Sequence, residues 1–307
     1  MRKTCINTVA ELAAHDPRVF FIGSDLGADI IKQFEGRFPG RFYMEGISEA
    51  YMIGMAAGLA LEGKQVYVNT IGTFITRRCY EQIALDVCLH QASVRLLGNG
   101  GGLVYSVLGP THMATDDLAL MRALPHMTIL VPGDPGEMRR AMWATLDHPG
   151  PVYVRIARGG EPTLIPDDSP FIIGKALSMR PAGEALLLTT GVTLGMCLEA
   201  ADRLSAAGVS CGVLHLPTLK PLDHEAILEA VRTASVVLTV EEHALIGGLG
   251  SAVAELLAEA DLPGRRRFKR VALPDDFPSI YASQARVMAR LGLSADALFS
   301  HVLSLRS

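Results

Sequence analysis

The chain has 307 residues, of which 49% are hydrophobic and 20% are charged, and its formal net charge is −4. This composition is typical of a compact globular protein and excludes the disordered and fibrous classes. Globular domains commonly contain about 100–200 residues, so the length favours two domains. The small negative net charge does not indicate a nucleic-acid-binding protein, which would typically carry an excess of basic residues.

The longest apolar run, Tyr51–Leu61, is too short to cross a membrane, because a spanning helix needs about 20 apolar residues. The first residues, Met1–Thr4, lead into a helical pattern and not into an apolar signal core. We therefore expect a cytoplasmic protein that does not enter a membrane. The five cysteines include no CxxC pair, so we expect buried thiols and neither a disulfide framework nor a zinc site.

Short apolar runs alternate with helical patterns along the chain, which predicts parallel sheets covered by helices. A helix of about 14 residues is expected to start at Glu49, with Ser48 as its N-cap and Gly63 just beyond its last turn. The other helices predicted in the first half are Ile6–Ala14, Arg78–Gln91 and Pro135–Leu146. The strands predicted there are Val19–Ile22, Gln65–Asn69, Val94–Leu97, Thr128–Val131 and Val152–Ile156.

The alternation stops between Arg158 and Phe171, where Gly and Pro follow neither period. We place a domain boundary there: a first domain of residues 1–160, a linker of residues 161–180 and a second domain of residues 181–307. The strands predicted in the second domain are Ala185–Thr189, Ser210–Leu214, Val236–Thr239 and Phe268–Ala272. Its predicted helices are Leu194–Ala207, His224–Thr233 and Gly250–Ala260. The fold class is α/β, with two domains that each contain a mainly parallel sheet covered by helices.

Ligand sites of open parallel sheets collect in loops at the carboxyl ends of strands. One unusual loop reads MEGISEA from Met44 to Ala50, and GMAAGLA follows from Gly54. A carboxylate at a helix start, such as Glu49, ordinarily stabilises the helix dipole. These strings, however, resemble the helix start of the pyrimidine-binding domain in thiamine diphosphate enzymes of the transketolase family. There the glutamate hydrogen-bonds N1′ of the cofactor's aminopyrimidine and exchanges a proton with it, so the resemblance implies that Glu49 is both catalytic and cofactor-binding.

The segment TIGTFITRRCYEQ, from Thr70 to Gln82, resembles the family's Thr-Phe loop and the helix that follows it. The resemblance implies that Phe74 stacks on the aminopyrimidine and that Tyr80 lines the same pocket. Either aromatic residue, taken alone, would also fit a hydrophobic core. Asp25 and Leu26, after the first strand, resemble the family's Ala-Asp-Leu segment near the cofactor, which implies cofactor contacts for both.

The segment LGPTH, from Leu108 to His112, resembles the Asp-Gly-Pro-Thr-His motif of transketolases and a similar loop of deoxyxylulose-phosphate synthases. The resemblance implies that His112 donates to substrate oxygens and takes part in acid-base catalysis, since histidine exchanges a proton near neutral pH. Leu108 replaces the family's aspartate, and Gly100 replaces a further family histidine. We expect Asn99–Gly102 to offer backbone amides in place of side chains, which leaves the donor and the acceptor open.

The segment VYVRIARG, ending at Gly159, resembles the strand-end Arg-Gly that holds the substrate phosphate in deoxyxylulose-phosphate synthases. The resemblance implies that Arg158 binds substrate, and Arg77 takes the position of another phosphate-contacting arginine. Two guanidinium groups suit a phosphate, sulfonate or carboxylate, although each also fits a surface ion pair. Arg155 faces the opposite way in the strand alternation, so we expect it to be structural.

The segment EEHALIGGLG, from Glu241 to Gly250, resembles a glycine-rich segment of the family's C-terminal domain. It places His243 either at the entrance of the site, as a substrate contact, or in a structural role. The Gly-Asp-Gly motif that marks the metal- and diphosphate-binding domain is missing, since Gly133–Gly136 reads GDPG. We therefore expect no metal ligand in this chain.

The resemblance covers nearly the whole chain but only the C-terminal portion of a full-length transketolase. It implies a split enzyme, in which this chain is the β-type subunit of an α2β2 assembly. An N-terminal-type partner would then bind the diphosphate and hold most ligands of Mg²⁺. The activity implied is transfer of a two-carbon ketol unit from a ketose donor to an aldehyde acceptor, with an anionic small-molecule substrate. A deoxyxylulose-phosphate synthase-like subunit, a 2-oxoacid dehydrogenase E1 β-type subunit and a non-catalytic interaction subunit are the alternatives.

Overall fold

The computed structural model describes residues 1–24, residue 34 and residues 36–306. Within these residues the first sheet has seven strands in the order β10-β5-β6-β4-β3-β1-β2. Its strands are β1 (Val19–Gly23), β2 (Phe42–Met44), β3 (Gln65–Ile71), β4 (Val94–Asn99), β5 (Thr128–Leu130), β6 (Val152–Ile156) and β10 (Thr218–Lys220). All neighbours run parallel except β10, which is antiparallel to β5. The second half of the chain thus supplies an edge strand to the first sheet.

The helices of the first half are α1 (Arg2–His15), α2 (Glu49–Leu61), α3 (Tyr80–Gln82), α4 (Asp117–Ala123) and α5 (Pro135–Ala144). Helix α2 buries Met52, Ile53, Ala56 and Ala57 against the first core, which fixes the position of its N-terminus. Its predicted start is confirmed, and Gly63 follows it with φ +80°. Ser48 stands at the N-cap position, but its hydroxyl donates to the carbonyl of Glu45 at 2.7 Å and makes no capping bond.

The helix predicted over Arg78–Gln91 differs in detail from the structure. The π-helical stretches Phe74–Arg78 and Ile83–Leu89 flank the short α3. A π turn is wider than an α turn, so successive side chains are rotated by a different angle about the helix axis. The side chains that follow the end of the strand therefore point in different directions than they would in an α-helix. This segment directly follows β3 and carries Phe74 toward the edge of the sheet where the strands end.

The second sheet has the order β12-β11-β8-β9-β7 within the described residues. Its strands are β7 (Leu177–Arg180), β8 (Ala185–Thr189), β9 (Cys211–His215), β11 (Val236–Ala244) and β12 (Arg267–Leu273). Helices α6 (Leu194–Ala206), α7 (His224–Thr233), α8 (Leu249–Glu259), α9 (Gln284–Arg290) and α10 (Ala295–Arg306) accompany it. The predicted class, α/β with two mainly parallel sheets covered by helices, is confirmed. Strand β7, antiparallel to β9, lies at the end of the segment predicted as a linker.

Arg155 of β6 joins the two halves of the chain. It is buried, and its Nε and Nη2 donate to the two carboxylate oxygens of Asp117 at 2.9 Å each. Nη1 donates to the carbonyl of Glu242 in the second half at 2.9 Å. The structural role predicted for Arg155 is confirmed, and it anchors the loop that precedes α4. No helix of the described part of the chain has the length and hydropathy to cross a membrane.

Candidate active site

Glu49 is the first residue of α2, and the turn before it includes Gly46 with φ +63°. Its side chain is only 2% exposed. The carboxylate Oε2 accepts a hydrogen bond of 2.6 Å from Nη1 of Arg78. The helix N-terminus and the guanidinium both direct N–H donors and positive electrostatic potential toward this buried side chain.

Phe74 begins the first π-helical stretch and is half-buried. The guanidinium carbon of Arg78 lies 4.6 Å from its ring centroid, in cation-π geometry. The ring of His112 meets Phe74 edge-on, with centroids 5.2 Å apart. Glu49, Arg78, Phe74 and His112 therefore form one contiguous group, which we call the Glu49 cluster. Three of these four residues were predicted from the sequence, and the structure brings those three together.

His112 belongs to the loop that follows the 3-10 turn Ser106–Leu108. Its Nδ1 is 2.9 Å from Oγ1 of Thr111, and its backbone N–H donates to the carbonyl of Gly109. Within the described part of the chain, Nε2 makes no hydrogen bond. The imidazole is thus oriented by a neighbour on one side and offers its other nitrogen to a bound molecule.

Arg78 was not predicted as a site residue. It lies four positions after Phe74, the spacing at which helical side chains share a face, and this signal would have indicated the contact. The neighbouring Arg77, predicted to bind substrate, points elsewhere and forms a bidentate pair with Asp116 at 2.9–3.1 Å. An anion at Arg77 would have to share the guanidinium with that carboxylate.

Arg158 lies apart from the Glu49 cluster and, among the described residues, makes no hydrogen bond or ion pair with any of its members. It is exposed and lines a cavity of about 530 Å³ between the two halves of the chain. Met196 and Met288 contribute to the largely apolar wall of this cavity. The predicted convergence of Arg77 and Arg158 on one pocket is therefore not visible in the structure.

One further predicted cofactor contact among the described residues, Tyr80, does not join the cluster. Tyr80 is half-buried and packs on the first hydrophobic core, which is the alternative role that its position also allows. Asp25 and Leu26 lie outside the described residues. Leu108, at the position of the family's aspartate, is 51% exposed.

His243 is fully buried at the end of β11. Its Nε2 accepts from the backbone N–H of Ala119 at 3.3 Å, and its Nδ1 is 2.8 Å from the carbonyl of Ala244. Because backbone groups engage both ring nitrogens and no solvent reaches the ring, His243 has a structural role. The predicted substrate contact of His243 is not supported.

The amides of the glycine run 100–102 are also not free. The N–H groups of Gly100 and Gly101 both donate to the carbonyl of Ile156, and Gly102 donates to Ala114. The expectation that this run offers amides to substrate is therefore wrong. The glycines are needed for packing instead, since a Cβ on Gly102 would lie 2.5 Å from the carboxyl carbon of Glu242.

Glu49 and Phe74 of this cluster offer the groups that an aminopyrimidine ring would use. A buried carboxylate would pair with a ring nitrogen, and the face of Phe74 would support a flat heterocycle. The described residues contain no group of three or more His, Cys, Asp or Glu side chains that could hold a metal ion. The chain thus offers groups for the ring of a cofactor and, in its described part, no cluster for a cation.

Two family models match the chain. The model for the transketolase pyrimidine binding domain matches residues 1–161, and the model for the transketolase C-terminal domain matches residues 174–298. The chain therefore belongs to the transketolase family. Membership of this family implies thiamine diphosphate as the cofactor.

Several relatives that match along most of their length are themselves subunits. The 6-deoxy-6-sulfo-D-fructose transketolase subunit SqwH of Clostridium sp. is 35% identical over 94% of this chain and 92% of its own length. An apulose-4-phosphate transketolase subunit of Phocaeicola vulgatus is 33% identical over 97% of this chain and 94% of its own length. A solved structure named "Split gene transketolase, inactive beta4 tetramer" covers 99% of this chain and 97% of that chain, with a TM-score of 0.90 and 31% identity.

The chain thus corresponds to the subunit of a split transketolase that carries the pyrimidine-binding and C-terminal domains, as the sequence motifs predicted. A 1-deoxy-D-xylulose-5-phosphate synthase of Symbiobacterium thermophilum is also 35% identical over 94% of this chain. The chain spans only 44% of the length of that synthase.

Proposed function

We propose that this chain is the β-type subunit of a thiamine diphosphate-dependent enzyme that transfers a two-carbon ketol unit from a ketose donor to an aldehyde acceptor. The observation that carries the proposal is the Glu49 cluster. A buried carboxylate, an aromatic face and a histidine whose Nε2 has no hydrogen-bond partner among the described residues lie together where the loops of a parallel sheet meet.

Three residues of the cluster have distinct roles in this proposal. Glu49 holds and exchanges the proton at N1′ of the aminopyrimidine, and Phe74 supports the ring. When bound, the cofactor supplies a stabilised carbanion equivalent. His112 donates to substrate oxygens through Nε2 and moves a proton to or from them, while Thr111 holds the other side of its imidazole.

We propose that activity requires a partner subunit with the diphosphate-binding domain, which also holds most ligands of Mg²⁺. An exposed apolar stripe on α2 supports association: Tyr51 and Leu61 are 62% and 61% exposed, and Gly54 and Gly58 lie between them on the same face. Contiguous exposed apolar surface of this kind marks protein interfaces. The proposed assembly is α2β2, and its location in the cytoplasm remains a prediction.

We propose that the substrate carries an anionic group. The names of two relatives refer to a sulfonated sugar and to a phosphorylated sugar, which share a tetrahedral oxyanion. Arg77 and Arg158 remain the proposed contacts for this group. Arg77 would have to loosen its pair with Asp116, and Arg158 would have to bind a substrate that reaches past the Glu49 cluster.

The test is turnover of the reconstituted complex. This chain and its copurifying partner would be purified together with thiamine diphosphate and Mg²⁺, and the transfer of labelled ketol carbons from a panel of phosphorylated and sulfonated ketoses to aldehydes would be measured. Glu49→Ala and Glu49→Gln are expected to abolish transfer. Glu11→Ala, which removes an exposed ion pair on α1, is the matched control and should leave transfer intact. Full turnover of the Glu49 variants would contradict the catalytic assignment.

A decarboxylating reaction is the second candidate, because the deoxyxylulose-phosphate synthase shares 35% identity with this chain. Release of labelled CO₂ from pyruvate in the presence of an aldehyde phosphate would favour it over ketol transfer. A copurifying lipoyl domain would favour a 2-oxoacid dehydrogenase E1 β-type subunit. A complex without bound cofactor and without any of these activities would favour a non-catalytic interaction subunit.

A further inference from the structure

Arg78 makes two contacts in the Glu49 cluster, and each is with a residue proposed to hold the cofactor ring. Its Nη1 donates to the buried carboxylate of Glu49 at 2.6 Å. Its guanidinium carbon lies 4.6 Å from the ring centroid of Phe74. A guanidinium is planar, cationic and rich in N–H donors, so it can satisfy a carboxylate and an aromatic face at the same time.

An aminopyrimidine would use the same two anchors. Its N1′ needs the carboxylate of Glu49, and its face needs the ring of Phe74. The guanidinium of Arg78 already lies against Oε2 of Glu49 and over one face of Phe74, so a ring that approached this oxygen along this face would meet the guanidinium. We propose that Arg78 occupies the aminopyrimidine subsite of the empty chain and must leave it before the cofactor binds. This inference rests on the proposed function of Glu49 and Phe74.

The side chain of Arg78 is suited to this exchange. It is 46% exposed, whereas the Glu49 side chain is 2% exposed, so the arginine reaches the buried carboxylate from the solvent side. Within the described residues, Arg78 has no other hydrogen bond or ion pair, so departure from the subsite breaks only these two contacts. A long side chain at the surface changes rotamer readily.

The exchange also explains how the empty chain tolerates a buried carboxylate. Burying a carboxylate without a hydrogen-bond partner destabilises a protein. Arg78 supplies that partner until the cofactor ring takes its place. When the cofactor binds, N1′ of its aminopyrimidine thus replaces Arg78 as the hydrogen-bond partner of Glu49. Arg78 lowers the affinity of the empty subunit for the pyrimidine and stabilises its fold.

Affinity for a pyrimidine probe tests the inference without turnover. The neutral fragment 4-amino-5-hydroxymethyl-2-methylpyrimidine avoids the attraction between an arginine and a diphosphate. Binding to the isolated full chain would be titrated by ligand-observed NMR for wild type, Arg78→Met and Arg139→Met. Arg139 pairs with Glu11 through a single Nη2 contact of 2.7 Å at the surface, so Arg139→Met is the matched control.

We expect Arg78→Met to bind the fragment at least about five-fold more tightly than wild type, since a half-exposed ion pair no longer competes. Arg139→Met should bind like wild type. Unchanged or weaker binding by Arg78→Met, with binding that still depends on Glu49, overturns the inference and leaves the proposed function intact. Failure of every protein to bind the fragment, or equal binding by Glu49→Gln, overturns the proposed role of Glu49 together with the inference.

A second measurement on the wild-type chain does not depend on the folding of a variant. Phenylglyoxal modification of individual arginines would be followed by mass spectrometry, with and without a saturating concentration of the fragment. We expect the rate at Arg78 to rise at least about three-fold when the fragment releases it from Glu49, and the rate at Arg139 to stay constant. A rate at Arg78 that is unchanged or lower contradicts displacement.

Discussion

His112 meets Phe74 edge-on, with ring centroids 5.2 Å apart and ring planes inclined by 64°. Edge-to-face pairs of this kind add about 0.5–1.5 kcal/mol beyond the burial of their area. The contact links the loop after the 3-10 turn to the π-helical stretch after β3. The residue proposed to face substrate and the residue proposed to support the cofactor therefore share one surface.

Removal of the Phe74 ring should weaken cofactor binding. Stacking of an aromatic side chain on a nucleic acid base contributes about 1–3 kcal/mol, and an aminopyrimidine has a similar face. Phe74→Leu is therefore expected to raise the Kd of thiamine diphosphate in the reconstituted complex by about 5-fold or more. Phe74→Tyr keeps the ring face and is the matched control. Isothermal titration would measure both, and equal affinities of the two variants would contradict the stacking role.

His112 should act on substrate and not on the cofactor ring. His112→Asn keeps a polar side chain but removes the exchangeable imidazole proton, so kcat/KM is expected to fall by about 100-fold or more. The Kd of thiamine diphosphate should change by less than about three-fold, which corresponds to about 0.6 kcal/mol. Steady-state kinetics and cofactor titration on the same preparation separate the two effects. A large loss of cofactor affinity with normal kcat would assign His112 to the cofactor instead.

Much of the fold could be predicted because its central strands and long helices carry a regular pattern. Strand Val152–Ile156 and helix His224–Thr233 were predicted with their observed ends. The edge strands β2 and β10, with three residues each, were not predicted. They form because a sheet edge supplies their partners. The antiparallel pairing of β10 with β5 joins segments far apart in the sequence.

In the candidate site, too, contacts between residues far apart in the sequence could not be predicted. Glu49, Phe74 and His112 lie in local motifs, so a role for each could be proposed from neighbouring residues. The role of the Gly100–Gly102 turn could not, because the carbonyl of Ile156 that accepts its amide protons belongs to another strand. His243 was ambiguous for the same reason, since its ring binds a backbone N–H of α4.

The glycine turn leads to a stability prediction. Gly102 has φ +65°, and a Cβ there would lie 2.5 Å from the carboxyl carbon of Glu242. Gly63 has φ +80° with nothing within 4 Å of its Cβ position, so it has the backbone strain without the clash. Gly102→Ala should therefore lower the free energy of unfolding by about 1–3 kcal/mol more than Gly63→Ala does. Urea titrations compare the two, and equal losses would show that Glu242 can move aside.

Glu242 should also make the stability of the chain depend on pH. It is fully buried, and its carboxylate accepts from the backbone N–H of Leu103 at 2.8 Å and from Nε2 of Gln284 at 2.9 and 3.0 Å. Burial raises the pKa of Glu242 above its ordinary value of 4.5, and the positive charge of Arg155 offsets this only in part. The native state consequently holds a proton more strongly at this site than the unfolded chain does.

The sign of the effect follows from this difference. As pH rises from the ordinary pKa of 4.5 through the raised pKa of native Glu242, the native state loses a proton that the unfolded state has already released. Glu242 therefore makes the free energy of unfolding fall as pH rises. The whole of this destabilisation is present once the pH is above the pKa of native Glu242. Glu242→Gln keeps an oxygen for Leu103 and does not titrate, so its stability relative to wild type should increase with pH. Urea unfolding of both proteins between pH 4 and 8 would measure that difference, and a constant or decreasing difference would contradict the raised pKa.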